Sequence, residues 1–254
     1  MEQTVNTLII SQARTGSTRL PGKVLKKIND QELLKIHIDR LKQSKLKSEL
    51  IIATTTKKED DIIEELCNNW GIKSFRGSED DVLDRFYQAA NEIKPTWIVR
   101  VTSDCPLLDP QLIDQVIDLA QNKNVDYCSN ILVEHFPDGQ DIEVFKFSAL
   151  ENAWKNAKLK SEREHVTPFI RNNCDMNGGT IFTAINYPCQ NNYSIIRMTV
   201  DEQKDFDLIE KVIHDLGVNE NWITYTNYII DNNLNKTNED IIRNEGYLKS
   251  LKND

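Results

Sequence analysis

Short apolar runs alternate with longer amphipathic ones, and this alternation limits the folds open to the chain. The runs TLIIS, ELIIATTT, IKSFRG and WIVRVTSD have strand length, with VDYCSN a weaker fifth. Their apolar residues are nearly continuous, as in strands covered on both faces. Between them the spacing predicts helices over residues 32–43, 59–70, 79–93 and 110–122. Gly71 stops the second, while Asp109 as N-cap and Pro110 in the first turn open the fourth. Strands and helices in this order call for a mostly parallel sheet with helices packed on it. The expected fold class is α/β: a three-layer, Rossmann-like sheet with helices on both faces and a small inserted β-containing subregion.

After about residue 130 the rhythm changes. IEVFKFSALENAWKNA reads as a strand running into a helix, and SEREHVTPFIRNN as a helix whose start Pro168 limits. GTIFTAI and YSIIRMTVD read as a second strand pair, and the chain from Asp205 on as three helices with Asn-rich connections. Neither a repeat nor a linker is evident. The economical division is one domain over residues 1–254 with an inserted subregion at about 131–190.

A formal net charge of −9 argues against a duplex-nucleic-acid or anionic-membrane binder, which needs a basic face. Cys67, Cys105, Cys128, Cys174 and Cys189 form no C-x-x-C pair and read as reduced thiols. With no signal-like leader and no apolar run near 18 residues, a cytoplasmic protein is expected.

Against this acidic background, LIISQARTGSTRLPGKVL gathers Arg14, Arg19 and Lys23 among Gly16, Ser17, Thr18, Pro21 and Gly22, directly after the first strand. Open α/β sheets bind ligands at such strand ends. Arginine forks and closely approaching backbone suit phosphate oxygens, so the loop reads as a triphosphate cradle. It is not a Walker A loop, because five residues separate Gly16 from Gly22 and Val24 follows Lys23. The dinucleotide-binding glycine spacing is missing too.

QARTGSTRLPGKVL resembles the signature loop of cytidylyltransferases that activate acidic sugars, the 3-deoxy-manno-octulosonate enzymes among them. The most similar group is the spore coat polysaccharide biosynthesis protein F family, grouped with acylneuraminate cytidylyltransferases. The likeness continues through FRGSEDDVLDRFYQAA, RVTSDCPLLDP, PDGQDIEVF, REHVTPFI and MTVDEQKDFDLIEKV, and thins after about residue 216. It implies that Arg14, Arg19 and Lys23 hold the triphosphate, with Ala13, Gly16, Ser17 and Thr18 in the same loop. It implies Mg²⁺ on Asp104 and Asp201, with Asp205 and Asp207 competing for the second place. Read alone, either aspartate also suits a cap or turn. Arg76 would contact the cytosine, while Asp84 and Arg85 are equally well a structural pair.

For the acceptor, Asp138 in the turn and Asp141 and Glu143, two apart on a strand face, are candidates for sugar hydroxyls or a polar outer face. Arg163 or His165 would meet a carboxylate, although His165 also suits a structural role. His37, His135 and His214 read as structural. The reaction implied is attack of an acceptor oxygen on the α-phosphorus of CTP, giving a CMP-sugar and pyrophosphate for surface polysaccharide synthesis. Arg14, Arg19, Lys23 and Asp104 would be the catalytic set, and no residue stands out as general base. Another base or acceptor, a sugar phosphate or a phosphonate, is an alternative, as is a nucleotide-sugar-dependent glycosyltransferase. The resemblance also implies a homodimer through the inserted region, with CTP and a small acidic sugar as partners.

Overall fold

A computed structural model describes residues 6–47 and 49–254. Strand β1 (Thr7–Gln12) enters the basic loop, which returns through a short hairpin, β2 (Lys27–Ile28) and β3 (Gln31–Glu32), to α1 (Leu33–Leu41). Three strand–helix units follow: β4 (Glu49–Thr55) with α2 (Asp61–Asn69), β5 (Lys73–Gly77) with α3 (Val82–Asn91), and β6 (Trp97–Thr102) with α4 (Pro110–Lys123). Next come β7 (Tyr127–Ser129), β8 (Glu143–Lys146), α5 (Phe147–Asn156), α6 (Lys160–His165), α7 (Pro168–Asn172) and β9 (Ala184–Asn186). Helices α8 (Gln203–Leu216), α9 (Trp222–Asp231) and α10 (Glu245–Leu251) complete the order.

The seven-stranded sheet runs β5-β4-β1-β6-β8-β7-β9, with β8 antiparallel to both neighbours and every other pairing parallel. The expected α/β class is therefore the observed one. From β1 the chain builds outward to β4 and β5, then returns to place β6 on the other side of β1. A crevice opens at that reversal, beyond the carboxyl ends of β1 and β6.

Both sheet faces are buried, which explains the continuous apolar runs. Ile9, Ile52 and Val99 pack with Leu34, Ile63 and Val116 on one side. Leu8, Ile10 and Ile98 pack with Leu83, Phe86 and Leu150 on the other. A third cluster joins α8 and α9 to Leu20, Ile36, Met198 and Val200. The α4 start is as expected: Asp109 Oδ1 accepts from Gln111 N at 2.7 Å, and Pro110 follows.

One expected strand is not formed. Among the described residues, 193–201 form no strand: Ser194 and Ile195 make a turn, Arg197 meets Asp138 in an isolated bridge, and β9 instead pairs in parallel with β7. The segment's backbone is committed elsewhere. Met198 N donates to Asp138 O (2.7 Å) and Val200 N to Asp104 O (2.7 Å), pinning it across the crevice. Residues 131–190 contribute β8 and β9 to the main sheet and α5–α7 beside it. Among the described residues no helix is long and apolar enough to cross a membrane, and all five cysteines are free thiols.

Candidate active site

The loop after β1 is held by a residue outside it. Thr15 donates from both its N–H and its hydroxyl to Asp60 Oδ1, each at 2.7 Å, and Asp60 in turn takes the Thr55 hydroxyl. Ser17 N and Gly22 N both bond Thr15 O (2.8 and 3.0 Å), closing the loop on itself. Gly22 adopts φ 65°, a left-handed conformation favouring glycine, and opens the 3-10 turn that begins with Lys23. Gly16 has no positive φ and lies outside the cleft wall.

A cleft of about 510 Å³ lies at the strand-order reversal, lined by Ala13, Arg14, Ser17, Thr18, Arg19, Lys23, Asp104 and Asp201 among others. At its centre Lys23 Nζ lies 2.8 Å from Asp104 Oδ2 and 2.7 Å from Asp201 Oδ1. Burial works against the charge of both Lys23 and Asp104, yet their mutual attraction outweighs it. Lys23 is raised above the ordinary lysine value, and Asp104 falls well below the usual carboxylate range. Arg19 reaches Asp201 (3.0 Å) and Glu245 (3.4 Å), and Arg14 reaches Glu79 (3.3 Å).

Of the competing acids, Asp205 lies behind the site. Fully buried, it accepts from the backbone of Asp201 and Glu202 (3.0 Å each) and from Arg197 Nε (3.0 Å). Asp207 is on the outer face of α8 with Gln203 (2.6 Å). Asp104 and Asp201 close on one cation from two sides. No group of three or more His, Cys, Asp or Glu side chains poised for a metal occurs among the described residues. Two carboxylates, with phosphate oxygens and water completing the shell, is a donor set that suits Mg²⁺.

Acceptor candidates divide between this cleft and elsewhere. Asp138, Asp141, Glu143 and His165 line it. Asp138 is paired with Arg197, and Asp141 with Arg243 at 2.7 Å. Burial, with acidic neighbours, pushes Asp141 up to about 7 although Arg243 pulls the other way. Glu143 is buried, not on a polar outer face, and accepts from Arg100 and from the Tyr127 hydroxyl (2.6 Å). Burial pushes His165 down to about 4, leaving it neutral near pH 7.

Besides Gly16, two expected residues do not join the cleft. Arg76 turns toward α2, donating to Thr55 O (2.9 Å) and Lys57 O (2.8 Å) and pairing with Asp61 (2.7 Å) and Glu64 (3.1 Å). Its side chain is spent on local backbone and carboxylates. Arg163 donates to Asp81 Oδ2 (3.0 Å) and Trp154 O (2.8 Å), tying α6 to the α3 cap.

Sequence reasoning missed Gln12, Asp60, Arg100, Arg171 and Arg197. Arg100 and Arg197 each interrupt an apolar run, a signal that a charge is being carried inward on purpose. Among the described residues Gln12 Oε1 has no hydrogen-bond partner, nor do the buried Nε atoms of Arg100 and Arg171, and all three residues line the cleft. Asp60 and Arg171 stand in ordinary helical patterns and carried no signal.

The profile of the family described as cytidylyltransferase matches residues 8–239. The chain belongs to the cytidylyltransferase family. The spore coat polysaccharide biosynthesis protein SpsF of Bacillus subtilis is 36% identical over 215 residues, covering 83% of this chain and 87% of that one. An uncharacterized protein of Methanocaldococcus jannaschii is 48% identical over 201 residues, covering 78% and 79%. Among solved structures, a cytidylyltransferase from Leptospira borgpetersenii superposes with a TM-score of 0.84 at 31% identity, over 95% of this chain and all of the other.

Proposed function

We propose that the chain transfers CMP from CTP to an acidic sugar of the nonulosonic or octulosonic type, releasing pyrophosphate, for surface polysaccharide synthesis. The observation that carries this reading is the Lys23 ammonium held between Asp104 and Asp201, beside the loop bearing Arg14 and Arg19. In it an acceptor hydroxyl attacks the α-phosphorus in line while the bond to pyrophosphate breaks. Arg14, Arg19 and Lys23 offset the charge that gathers on the leaving group. Asp104 and Asp201 would hold Mg²⁺, which when bound neutralises phosphate charge and makes the hydroxyl more acidic. Gln12 Oε1 offers an acceptor to the amino group of a cytosine. Arg100 and Arg171 favour an anionic acceptor, and Glu143 suits its hydroxyls.

The relative in B. subtilis, a spore coat polysaccharide biosynthesis protein, supports the destination of the product and, with it, a cytoplasmic site of action. The reading includes a homodimer through residues 131–190, where Val133, Leu159, Met176 and Ile181 are exposed; sedimentation checks it. The decisive test incubates the protein with Mg²⁺, each of four nucleoside triphosphates and a panel of nonulosonic and octulosonic acids, sugar phosphates and phosphonates. Pyrophosphate release confined to CTP with a sugar acid is expected. Release with a sugar phosphate or another triphosphate would replace the reading.

A further inference from the structure

Residues 240–254 lie beyond the family match, yet they fold back over the cleft. Arg243 is fixed by Asp141 (2.7 Å) and Phe136 O (3.2 Å), and Asn244 donates to Glu134 (3.2 Å). At the other end the Ser250 hydroxyl donates to Glu164 and lies 3.3 Å from His165 Nε2, while Asp254 accepts from Ser161 N (2.7 Å) and Oγ (2.6 Å). Fastened at both ends, the segment is a wall of the site rather than a tail. Between the anchors Tyr247 lines the cleft.

The Tyr247 ring is half-buried and has two neighbours in the acceptor half. The His165 ring meets it edge-on, with centroids 5.2 Å apart, and the Arg171 guanidinium lies 5.2 Å from its centre. Arg100 and Arg171 line the same cleft, and their buried Nε atoms have no hydrogen-bond partner among the described residues. A guanidinium over an aromatic face is held in orientation as well as attracted. The remaining ring surface offers a flat apolar platform of the kind that packs against the C–H face of a sugar.

We propose that Tyr247 is a specificity-determining residue for the acceptor: a sugar acid places its carboxylate on the Arg100 and Arg171 donors and its ring against Tyr247. The proposal rests on the function argued above. It differs from a structural role for α10 in acting on one substrate and sparing the other.

The test is steady-state kinetics of wild type, Tyr247→Ala and Tyr247→Phe with CTP, Mg²⁺ and the same panel of sugar acids, read as pyrophosphate. Thermal stabilisation by CTP, measured alongside, reports whether each variant is folded. Tyr247→Ala is expected to raise the acceptor KM about tenfold or more while the CTP KM stays within about twofold, and Tyr247→Phe to restore wild-type values within about threefold. Unchanged acceptor KM in Tyr247→Ala, or acceptor and CTP KM rising together, overturns the role of Tyr247 and leaves the cytidylyltransfer reading standing. No turnover by the wild type with any sugar acid removes both.

Discussion

Lys23 answers two demands at once. Its side chain is largely covered, so its charge needs partners, and those partners are the carboxylates proposed to meet the divalent ion. Asp104→Asn keeps the shape and removes one charge. Turnover is expected to fall by about two orders of magnitude or more, with the circular dichroism spectrum unchanged. A variant that retained metal-dependent turnover would exclude Asp104 from the metal site. Asp104 was legible because it stands just past β6, where an apolar run gives out, and a strand end is a physical address. Arg76 stands at such an address too, but its long side chain bends back to the carbonyls of Thr55 and Lys57. A sequence pattern locates a Cα, not the end of a flexible arginine.

At the scale of elements, the turn before β8 shows how tightly the proposed acceptor side is built. Gly139 adopts φ 101°, and a Cβ there would sit 2.6 Å from Thr199 N and 2.7 Å from Met198 C. That backbone belongs to the 193–201 segment pinned to Asp138, so no side chain can simply swing aside. Gly139→Ala is expected to cost about 3 kcal/mol through strain and displaced backbone. A denaturant midpoint equal to wild type would refute this close approach. The strand–helix units before residue 124 were readable because each buries an apolar stripe of regular period. Residues 193–201 misled because Ile196, Met198 and Val200 alternate with Arg197 and Thr199 as in a strand, whereas all five are buried. Its partners are a turn and a loop, which periodicity does not reveal.

For the whole molecule, pH is a probe of how the centre is assembled. His37, fully buried, lies 2.8 Å from Cys105 O through Nδ1 and 2.9 Å from the Ser11 hydroxyl through Nε2, an arrangement suited to the neutral ring. Burial, with Arg40 nearby, pushes it down to about 4 from 6.5. The unfolded chain therefore takes up a proton first on acidification. The stability His37 contributes is complete above about pH 6.5 and is lost as pH falls toward 4, about 3 kcal/mol in all. His37→Gln should show a shallower loss of unfolding free energy over that window, and an equal slope would show that this imidazole is not what titrates.

Strand β8 is the one that runs backwards, and its register sets Glu143 opposite Arg100. Reversal means that β8 starts at the rim where its neighbours finish, so the residues leading into it, Asp138 and Asp141 included, arrive at the same opening as the loop leaving β1. Two stretches of chain far apart in sequence thus furnish opposite halves of one reaction chamber. In the proposed reaction, changes on the β8 side would alter the acceptor while the loop after β1, and with it the donor, stays as it is.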